Sequence, residues 1–246
     1  MTFVTNPTDH VSRREALSAA GALLAAAFIG GRSAYAQAKP LRIGIIGTGR
    51  IGGALARHWH RAGHDVLMSS RNPDELRPLA KELGARARVG TPAEAAAFGD
   101  VVLVSVPYGA MPQIGKDNAA ALKGKIVLDT SNPSEGRDGA MAIPAQKKGA
   151  GVATAEYLPG ARVVRAFNCI PAASLANEAN RTPERLAIPI GGDNAEALAV
   201  AERLVRDAGF DPVMVGSLAQ TRQFDLGQPL AKGDLTAAQL RKLVPR

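Results

Sequence analysis

The stretch LRIGIIGTGRIGGALARHWHRAG, residues 41–63, decides the fold of this chain. Its first six residues form a short, nearly all-apolar run that ends at glycines, which is typical of a buried parallel strand. From residue 50 to residue 62 the apolar residues recur at the spacing of one helix face: Ile51, Leu55, Trp59 and Ala62. Gly63 ends this helix. The stretch therefore predicts a strand, a glycine-rich loop and a helix in that order.

Strand-like and helix-like segments alternate through the rest of the chain. Further strands are predicted at 65–69, 86–89, 101–106, 126–130, 162–167, 186–190 and 212–215, and helices at 74–83, 92–98, 195–208 and 235–243. This alternation is typical of a doubly wound, mostly parallel α/β sheet. We predict a nucleotide-binding Rossmann domain at 40–170, followed by a small C-terminal extension at 171–246.

The loop GTGRIG, residues 47–52, predicts a dinucleotide site. Gly47 permits the tight turn, Gly49 lets the backbone approach a pyrophosphate, and Gly52 lets the helix pack closely on the strand. The N–H groups and the positive dipole end of the helix then face the phosphates, and Arg50 adds a charge there. The motif alone is weak, but the strand before it and the helix after it supply the required context.

The end of the second predicted strand indicates which dinucleotide binds. Folds that prefer NAD place Asp or Glu at this point to bind the ribose 2′-hydroxyl, whereas this chain has Ser70 and Arg71. Ser70 can hydrogen-bond a 2′-phosphate, Arg71 can pair with it, and Arg77 lies about one helical turn later. A helix cap at Ser70 and a surface charge at Arg71 are the alternatives. The sequence favours NADP over NAD.

Four short motifs, taken in order, resemble the family of NADPH-dependent reductases of the deazaflavin coenzyme F420. They are IGIIGTG at 43–49, Ser70-Arg71, Asn132-Pro133 and Ala166-Phe167-Asn168. The same module is similar to the cytosolic reductase domain of the six-transmembrane metalloreductases, and the similarity runs from about residue 41 to residue 228. The glycine loop is widely shared, so the combination of motifs carries the resemblance.

The resemblance implies an NADP(H)-dependent oxidoreductase that transfers hydride between NADPH and a flavin or deazaflavin. It implies that segment 171–246 completes the acceptor site. A strand-ending turn remains the alternative reading of the Asn-Pro pair. The implied contacts are Thr48, Gly49, Arg50 and Ile51 with the pyrophosphate, Ser70 and Arg71 with the 2′-phosphate, Val106 and Pro107 with the nicotinamide ribose, and Asn132 and Pro133 with the nicotinamide side.

No catalytic residue is assigned, because in hydride transfer between stacked rings the cofactors carry the chemistry and the protein supplies orientation. His58, His60 and His64 are interpreted as solvated positions. Cys169, the single cysteine, is interpreted as a buried inert thiol, and no metal site is expected. Two other functions stay open: an NADPH-dependent reductase of a small carbonyl or imine, and a non-catalytic NADP-binding protein.

Residues 1–36 have the order of a removable export signal. The pair Arg13-Arg14 precedes an apolar run at 19–29, and Ala34-Tyr35-Ala36 is a small-residue cleavage pattern. We predict twin-arginine export to the periplasm or the exterior. The alternative is a cytoplasmic chain whose N-terminal helix contains a chance Arg pair.

The amino-acid composition limits the kinds of partner that we expect this protein to bind. The 246 residues are 46% apolar, with a formal net charge of +8 and few aromatic residues. The basic residues are scattered without an aromatic stacking platform, so nucleic acid is not expected. No run after the signal is long enough to span a bilayer. The expected partner is a small hydride acceptor, and a homodimer is left open.

Overall fold

The computed structural model describes residues 39–245, and the predicted export signal at 1–36 lies outside them. From Pro40 onward the chain forms one compact unit. Within residues 39–245, no helix combines the length and the apolar character needed to cross a membrane.

The strands form a single eight-stranded sheet in the order β3-β2-β1-β4-β5-β6-β7-β8. Neighbouring strands run parallel except β6 and β7, which are antiparallel. This confirms the predicted doubly wound, mostly parallel α/β fold. The strand bounds are β1 Arg42–Ile46, β2 Asp65–Ser69, β3 Ala87–Gly90, β4 Val101–Val104, β5 Ile126–Asp129, β6 Arg162–Arg165, β7 Ala187–Gly192 and β8 Asp211–Gly216.

The α-helices cover both faces of the sheet. They are α1 Arg50–Arg61, α2 Arg77–Leu83, α3 Pro92–Phe98, α4 Met111–Leu122, α5 Glu135–Asp138, α6 Ala142–Lys148, α7 Ala150–Tyr157, α8 Ala172–Asn177, α9 Ala195–Asp207 and α10 Ala237–Leu243. On one face α1 and α9 share a core in which Trp59 is fully buried and donates its indole N–H to Leu204 O at 2.8 Å. On the other face α3, α4 and α7 border the second core.

The sheet reverses its strand order next to β1. β1 pairs with β2 on one side and with β4 on the other, so the chain leaves β1 and β4 in opposite directions. In open parallel sheets such a point leaves a crevice at the carboxyl ends of the strands. This places the glycine loop, which follows β1, at the mouth of that crevice.

The helices between residues 111 and 157 were not predicted. α4 packs through close backbone approach rather than an apolar stripe: a Cβ on Gly115 would lie 1.9 Å from Tyr157 O. Helices built from alanine and glycine give a weak periodic signal, because small residues do not mark the buried face. The segment predicted as one helix at 74–83 consists of two elements, a 3₁₀ turn at Pro73–Leu76 followed by α2.

Candidate active site

The glycine loop is fastened to the end of β2. The N–H groups of Gly47 and Thr48 both donate to Ser69 O, at 3.1 and 2.9 Å, and the Thr48 hydroxyl donates to the same oxygen at 3.1 Å. Gly47 has a φ of 95°, and a Cβ there would lie 2.3 Å from Ser105 O. Glycine is therefore required at this turn. Thr48 is expected to contact the pyrophosphate, but its N–H and its hydroxyl both donate to Ser69 O inside the protein.

The start of α1 presents free backbone donors. The first hydrogen bond of the helix runs from Gly53 N to Gly49 O at 2.8 Å, so the N–H groups of Arg50, Ile51 and Gly52 precede it. Gly49 is the N-cap, and it has no side chain that could accept a hydrogen bond from these N–H groups. Unsatisfied N–H groups at a helix N-terminus form an anion site. This geometry suits a pyrophosphate.

Two glycines of the motif differ in their surroundings as the motif predicts. A Cβ on Gly52 would lie 2.2 Å from Gly47 O, so this glycine lets helix and loop pack together. A Cβ on Gly49 would meet no protein atom within 4 Å, so packing does not explain that glycine. The open space above Gly49 lies where a pyrophosphate would approach the backbone.

A cleft of about 450 Å³ joins the loop to the end of β2. Arg71 is exposed and makes no hydrogen bond or ion pair within residues 39–245, and Ser70 Oγ accepts from Asn72 N at 3.1 Å. Glu75 also lines this cleft, a carboxylate that the sequence did not place there, and it accepts from Asn72 Nδ2 at 2.9 Å. The predicted contacts that line this cleft are Gly47, Thr48, Gly49, Ser70, Arg71, Val106 and Pro107.

Other predicted residues lie outside this cleft. Arg50 lines a neighbouring cleft of about 310 Å³ beside Gly49, and Ile51 is half-buried at the start of α1. Arg77 does not reach Arg71: its Nε pairs with Asp74 at 2.7 Å, and it lines a different surface cleft. Arg77 therefore adds no charge to the predicted phosphate position.

Asn132 and Pro133 line a third cleft, of about 280 Å³, together with residues of the C-terminal segment. The Asn132 amide is bonded inward. Its Nδ2 donates to Asn168 O at 2.7 Å, and its Oδ1 accepts from Asn168 Nδ2 at 3.2 Å and from Arg165 Nη2 at 3.3 Å. The Asn-Pro and Ala-Phe-Asn motifs are thus joined by direct hydrogen bonds.

A buried arginine lies behind this cleft. Arg165 is fully buried, and it pairs through Nη1 with Asp129 and through Nη2 with Asp225, both at 2.9 Å. It also donates to Ser131 O. Burial alone lowers the pKa of Arg165, but the two carboxylates outweigh it, so the pKa is raised and the cation is retained. These two ion pairs of Arg165 join β5 and β6 to the C-terminal segment.

The hydrogen-bond network around these buried charged groups extends to neighbouring hydroxyl groups. Asp129 accepts from the backbone N–H and the hydroxyl of Ser131, and from the Thr154 hydroxyl at 2.8 Å. Tyr108 donates its hydroxyl to Ala150 O at 3.1 Å, and burial raises the pKa of Tyr108. Arg165 Nε finds no partner in the described part of the chain. Most buried polar atoms in native structures have a hydrogen-bond partner, so this nitrogen is an exception.

Asp138 joins two loops of the site. Its Oδ1 accepts from Gly109 N at 3.0 Å, in the loop after β4, and its Oδ2 accepts from Ser134 N at 2.9 Å, in the loop after β5. Hydrogen bonding from Arg137, together with the two backbone donors, lowers the pKa of Asp138 to about 2. The carboxylate therefore holds the loops that contain Pro107 and Pro133 in one arrangement.

Strained backbone marks the end of β6. Phe167 has a φ of 60°, a left-handed conformation that is rare for a bulky residue. Its ring packs edge-on against Trp59 and Phe210, with centroids 6.2 and 6.4 Å away. The strain turns the chain so that Asn168 meets Asn132, and such outliers cluster at functional sites.

Sequence reasoning missed these inner residues. The available signal was a charged residue directly after an apolar run in each of two strands, Asp129 at the end of β5 and Arg165 at the end of β6. Buried charges are rare unless they are paired, so the two strands indicate a paired partner. Asp138 ends the short helix α5 and Asp225 lies just after a 3₁₀ segment, and neither position carries a comparable signal.

Two histidine assignments were wrong. His58 is 5% exposed and donates from Nε2 to Leu175 O at 2.7 Å, and burial lowers its pKa. His64 is 1% exposed, with Nδ1 accepting from Leu41 N and Nε2 bonded to Asp207, both at 3.0 Å. The residues that these two histidines contact, Leu175 and Asp207, are distant from them in sequence. The local sequence pattern therefore could not indicate that the histidines are buried.

Cys169 is buried, as predicted, and burial raises the pKa of its thiol to about 12. A thiol of this kind is not a nucleophile near neutral pH. Among residues 39–245, no group of three His, Cys, Asp or Glu side chains is arranged to hold a metal ion.

A phosphate loop at the reversal point of a doubly wound sheet defines a Rossmann-type dinucleotide-binding protein. A sequence profile of the family described as NADP oxidoreductase, coenzyme F420-dependent, matches residues 42–133. This match covers 92 of the 246 residues, so the chain is similar to that family over the N-terminal part of its sheet. The expected resemblance is confirmed, and the matches support an NADP-dependent oxidoreductase whose acceptor is unspecified.

Individual relatives agree with this assignment. The chain is 31% identical to Metalloreductase STEAP3 of Rattus norvegicus over 191 residues, which is 75% of this chain but 36% of the relative. It is 28% identical to the F420-dependent NADP reductase of Methanothermobacter marburgensis over 204 residues, covering 77% of this chain and 90% of the relative. The solved structure of a hypothetical protein from Sinorhizobium meliloti is 30% identical with a TM-score of 0.70, covering 82% of this chain and 98% of that one.

Proposed function

We propose that this protein transfers hydride between NADPH and a flavin or deazaflavin acceptor. One observation carries the proposal. A single cleft joins the open backbone at Gly49 to the guanidinium of Arg71, which has no partner within residues 39–245, and no carboxylate follows β2 directly. This combination suits a pyrophosphate at one point and a 2′-phosphate at another.

In this proposal the cofactor would be held along the carboxyl edge of the sheet. The backbone at Gly49, Arg50 and Ile51 would bind the pyrophosphate, and Ser70 and Arg71 would bind the 2′-phosphate. When bound, NADPH supplies a hydride from its nicotinamide ring, and the acceptor ring takes it up with a proton from solvent.

Residues at the other end of the crevice would orient the nicotinamide. Val106 and Pro107 line the same cleft beyond the loop, and Asn132 and Pro133 follow the next strand. The inward bonding of Asn132 supports a positioning role, in which the amide fixes the loop and Pro133 presents an apolar surface. We also propose that segment 171–246 completes the acceptor site, since residues from both segments line the third cleft.

Cofactor preference tests the first part of the proposal. Isothermal titration should show tighter binding of NADPH than of NADH, and Arg71→Ala should weaken NADPH binding about tenfold or more, with little effect on NADH. Arg77→Ala is the matched control, because Arg77 is a nearby exposed arginine that pairs with Asp74 outside the cleft. Equal affinity for both dinucleotides, or an unchanged preference in Arg71→Ala, would refute the assignment.

Acceptor choice tests the second part. Anaerobic mixing of the protein and NADPH with riboflavin, its 5′-phosphate and coenzyme F420 should give reduced ring spectra, whereas a panel of small ketones and cyclic imines should not. Turnover confined to the ketones or imines would replace this proposal with the carbonyl or imine alternative. Tight NADPH binding without turnover of any acceptor would favour a non-catalytic binding protein.

We further propose that residues 1–36 direct twin-arginine export. That route moves folded proteins, so NADP bound in the cytoplasm would travel with the chain and account for a nicotinamide enzyme outside the cytoplasm. Cell fractionation should find the protein in the periplasm with stoichiometric NADP, and Arg13→Lys combined with Arg14→Lys should retain it in the cytoplasm. Export of the double variant, or periplasmic protein without NADP, would contradict the proposal.

A further inference from the structure

The third cleft is lined by one exposed arginine, Arg222. It follows β8 in a 3₁₀ segment, Ala219–Phe224, and its guanidinium makes no hydrogen bond or ion pair within residues 39–245. Asp225, the carboxylate that lines the same cleft, already has hydrogen-bond partners. Asp225 accepts from Arg165 Nη2 at 2.9 Å and from Ala150 N at 3.0 Å. Arg222 is therefore the uncommitted charge of this cleft.

The stem of Arg222 is held although its guanidinium is exposed. It lies along the backbone at Gly149, where a Cβ would be 3.3 Å from Arg222 Cβ, 3.6 Å from Cγ and 3.8 Å from Cδ. Gly149 has a φ of 94°, which favours glycine and keeps this groove open. A stem packed over three carbons loses less freedom when its head binds a ligand than a fully mobile side chain does.

Apart from Gln228, the rest of the wall is apolar or already bonded. Pro133 and Leu226, which is 61% exposed, supply its apolar surface. Gln146 donates from Nε2 to Pro133 O at 3.3 Å. A flat apolar group could lie against Pro133 and Leu226, and an attached charged group would then meet Arg222.

We propose that Arg222 binds an anionic group, phosphate or carboxylate, carried by the hydride acceptor. The acceptor is then a ring compound with a negatively charged tail rather than a neutral ketone or imine. A guanidinium binds such groups through two parallel hydrogen bonds. This inference rests on the proposed function, because it assumes that the third cleft receives the acceptor.

Riboflavin and riboflavin 5′-phosphate test the inference, because they share one ring and differ in a phosphate. With NADPH as donor, the wild type should use the phosphorylated flavin with a kcat/KM about tenfold or more above that of riboflavin. Arg222→Gln should bring this ratio close to one, mainly through the KM of the phosphorylated flavin, and leave riboflavin turnover and the KM for NADPH unchanged. Salt should weaken the preference in the wild type alone.

Arg241→Gln is the matched control, since Arg241 is an exposed arginine of α10 that lines none of the three clefts. Quenching of flavin fluorescence, titrated into the protein with NADP⁺, reports affinity without turnover and should follow the same order. Equal affinity for the two flavins, or a preference that survives Arg222→Gln, overturns the inference while flavin reduction still supports the proposed function. If neither of the flavins nor coenzyme F420 is reduced, the proposed function fails, and the binding titration still decides the role of Arg222.

Discussion

Replacing Gly49 with Ala should separate cofactor binding from folding. The residue has a φ of −81° and a ψ of −153°, which alanine adopts without strain, and a Cβ there meets no protein atom within 4 Å. Alanine restricts the unfolded chain, which stabilises by roughly 0.4–1 kcal/mol, and is a poorer N-cap than glycine by a similar amount. The free energy of unfolding should therefore change by less than about 1 kcal/mol.

The effect on NADP should be much larger. The added methyl group occupies the space through which a pyrophosphate would approach the helix N-terminus. It would cost at least one charge-assisted hydrogen bond to the N–H groups of Arg50 to Gly52, roughly 2 kcal/mol or about thirtyfold in Kd. Titration calorimetry gives the affinity, and urea unfolding of the cofactor-free protein gives the stability.

Gly52→Ala is the opposite case and serves as the control. Its Cβ would lie 2.2 Å from Gly47 O and 3.3 Å from Ile45 Cγ2, so helix and loop must separate. We expect a loss of about 1–3 kcal/mol in the stability of the cofactor-free protein. If Gly49→Ala binds NADPH as tightly as the wild type, the pyrophosphate does not cross this backbone, and the assignment of the loop is refuted.

Three further predictions follow from the buried groups. Arg165→Met leaves the carboxylates of Asp129 and Asp225 without their cation, so urea unfolding should show that the free energy of unfolding falls by about 3–5 kcal/mol. Adding Asp129→Asn in a double variant should restore part of this loss. The pKa of Asp138 is depressed to about 2, so its stabilisation is complete above its ordinary pKa near 3.8 and is lost as pH falls towards 2. The stability difference between wild type and Asp138→Asn should shrink by roughly 2 kcal/mol between pH 5 and pH 2, and a constant difference would contradict this. Because the pKa of the Cys169 thiol is raised to about 12, iodoacetamide should label it at pH 8 only after unfolding, and rapid labelling of the native protein would exclude its burial.

The central strands of the sheet were predictable because they are buried on both faces. Runs such as Val101–Val104 are apolar throughout, and only such runs fit between two layers of helix. The ends were less predictable. The predicted strand at 162–167 stops at Arg165, since the left-handed Phe167 ends the ladder, and this conformation depends on aromatic rings from α1 and the loop before β8.

The outer part of the site was predictable for a different reason. The role of the glycine loop follows from short-range geometry, and the structure gives Gly47, Gly49 and Gly52 the distinct surroundings that the motif implies. The inner part depends on contacts between residues far apart in sequence. Arg165 and Asp225 are 60 residues apart, and no local pattern relates them.

The two ends of the crevice are organised differently, and this bears on what each end contributes. At one end Arg71 is exposed and unpaired within residues 39–245, so it must be ordered when a ligand binds, and its loss should appear in affinity. At the other end Asn132 is fixed by Asn168 and Arg165 before any ligand arrives. Hydride transfer needs the reacting carbons within roughly 3–3.5 Å, so rigidity is most valuable where the rings meet. Under the proposed function, the prebonded loop at that end would serve the rate of the reaction, whereas the exposed arginine at the other end would select the cofactor.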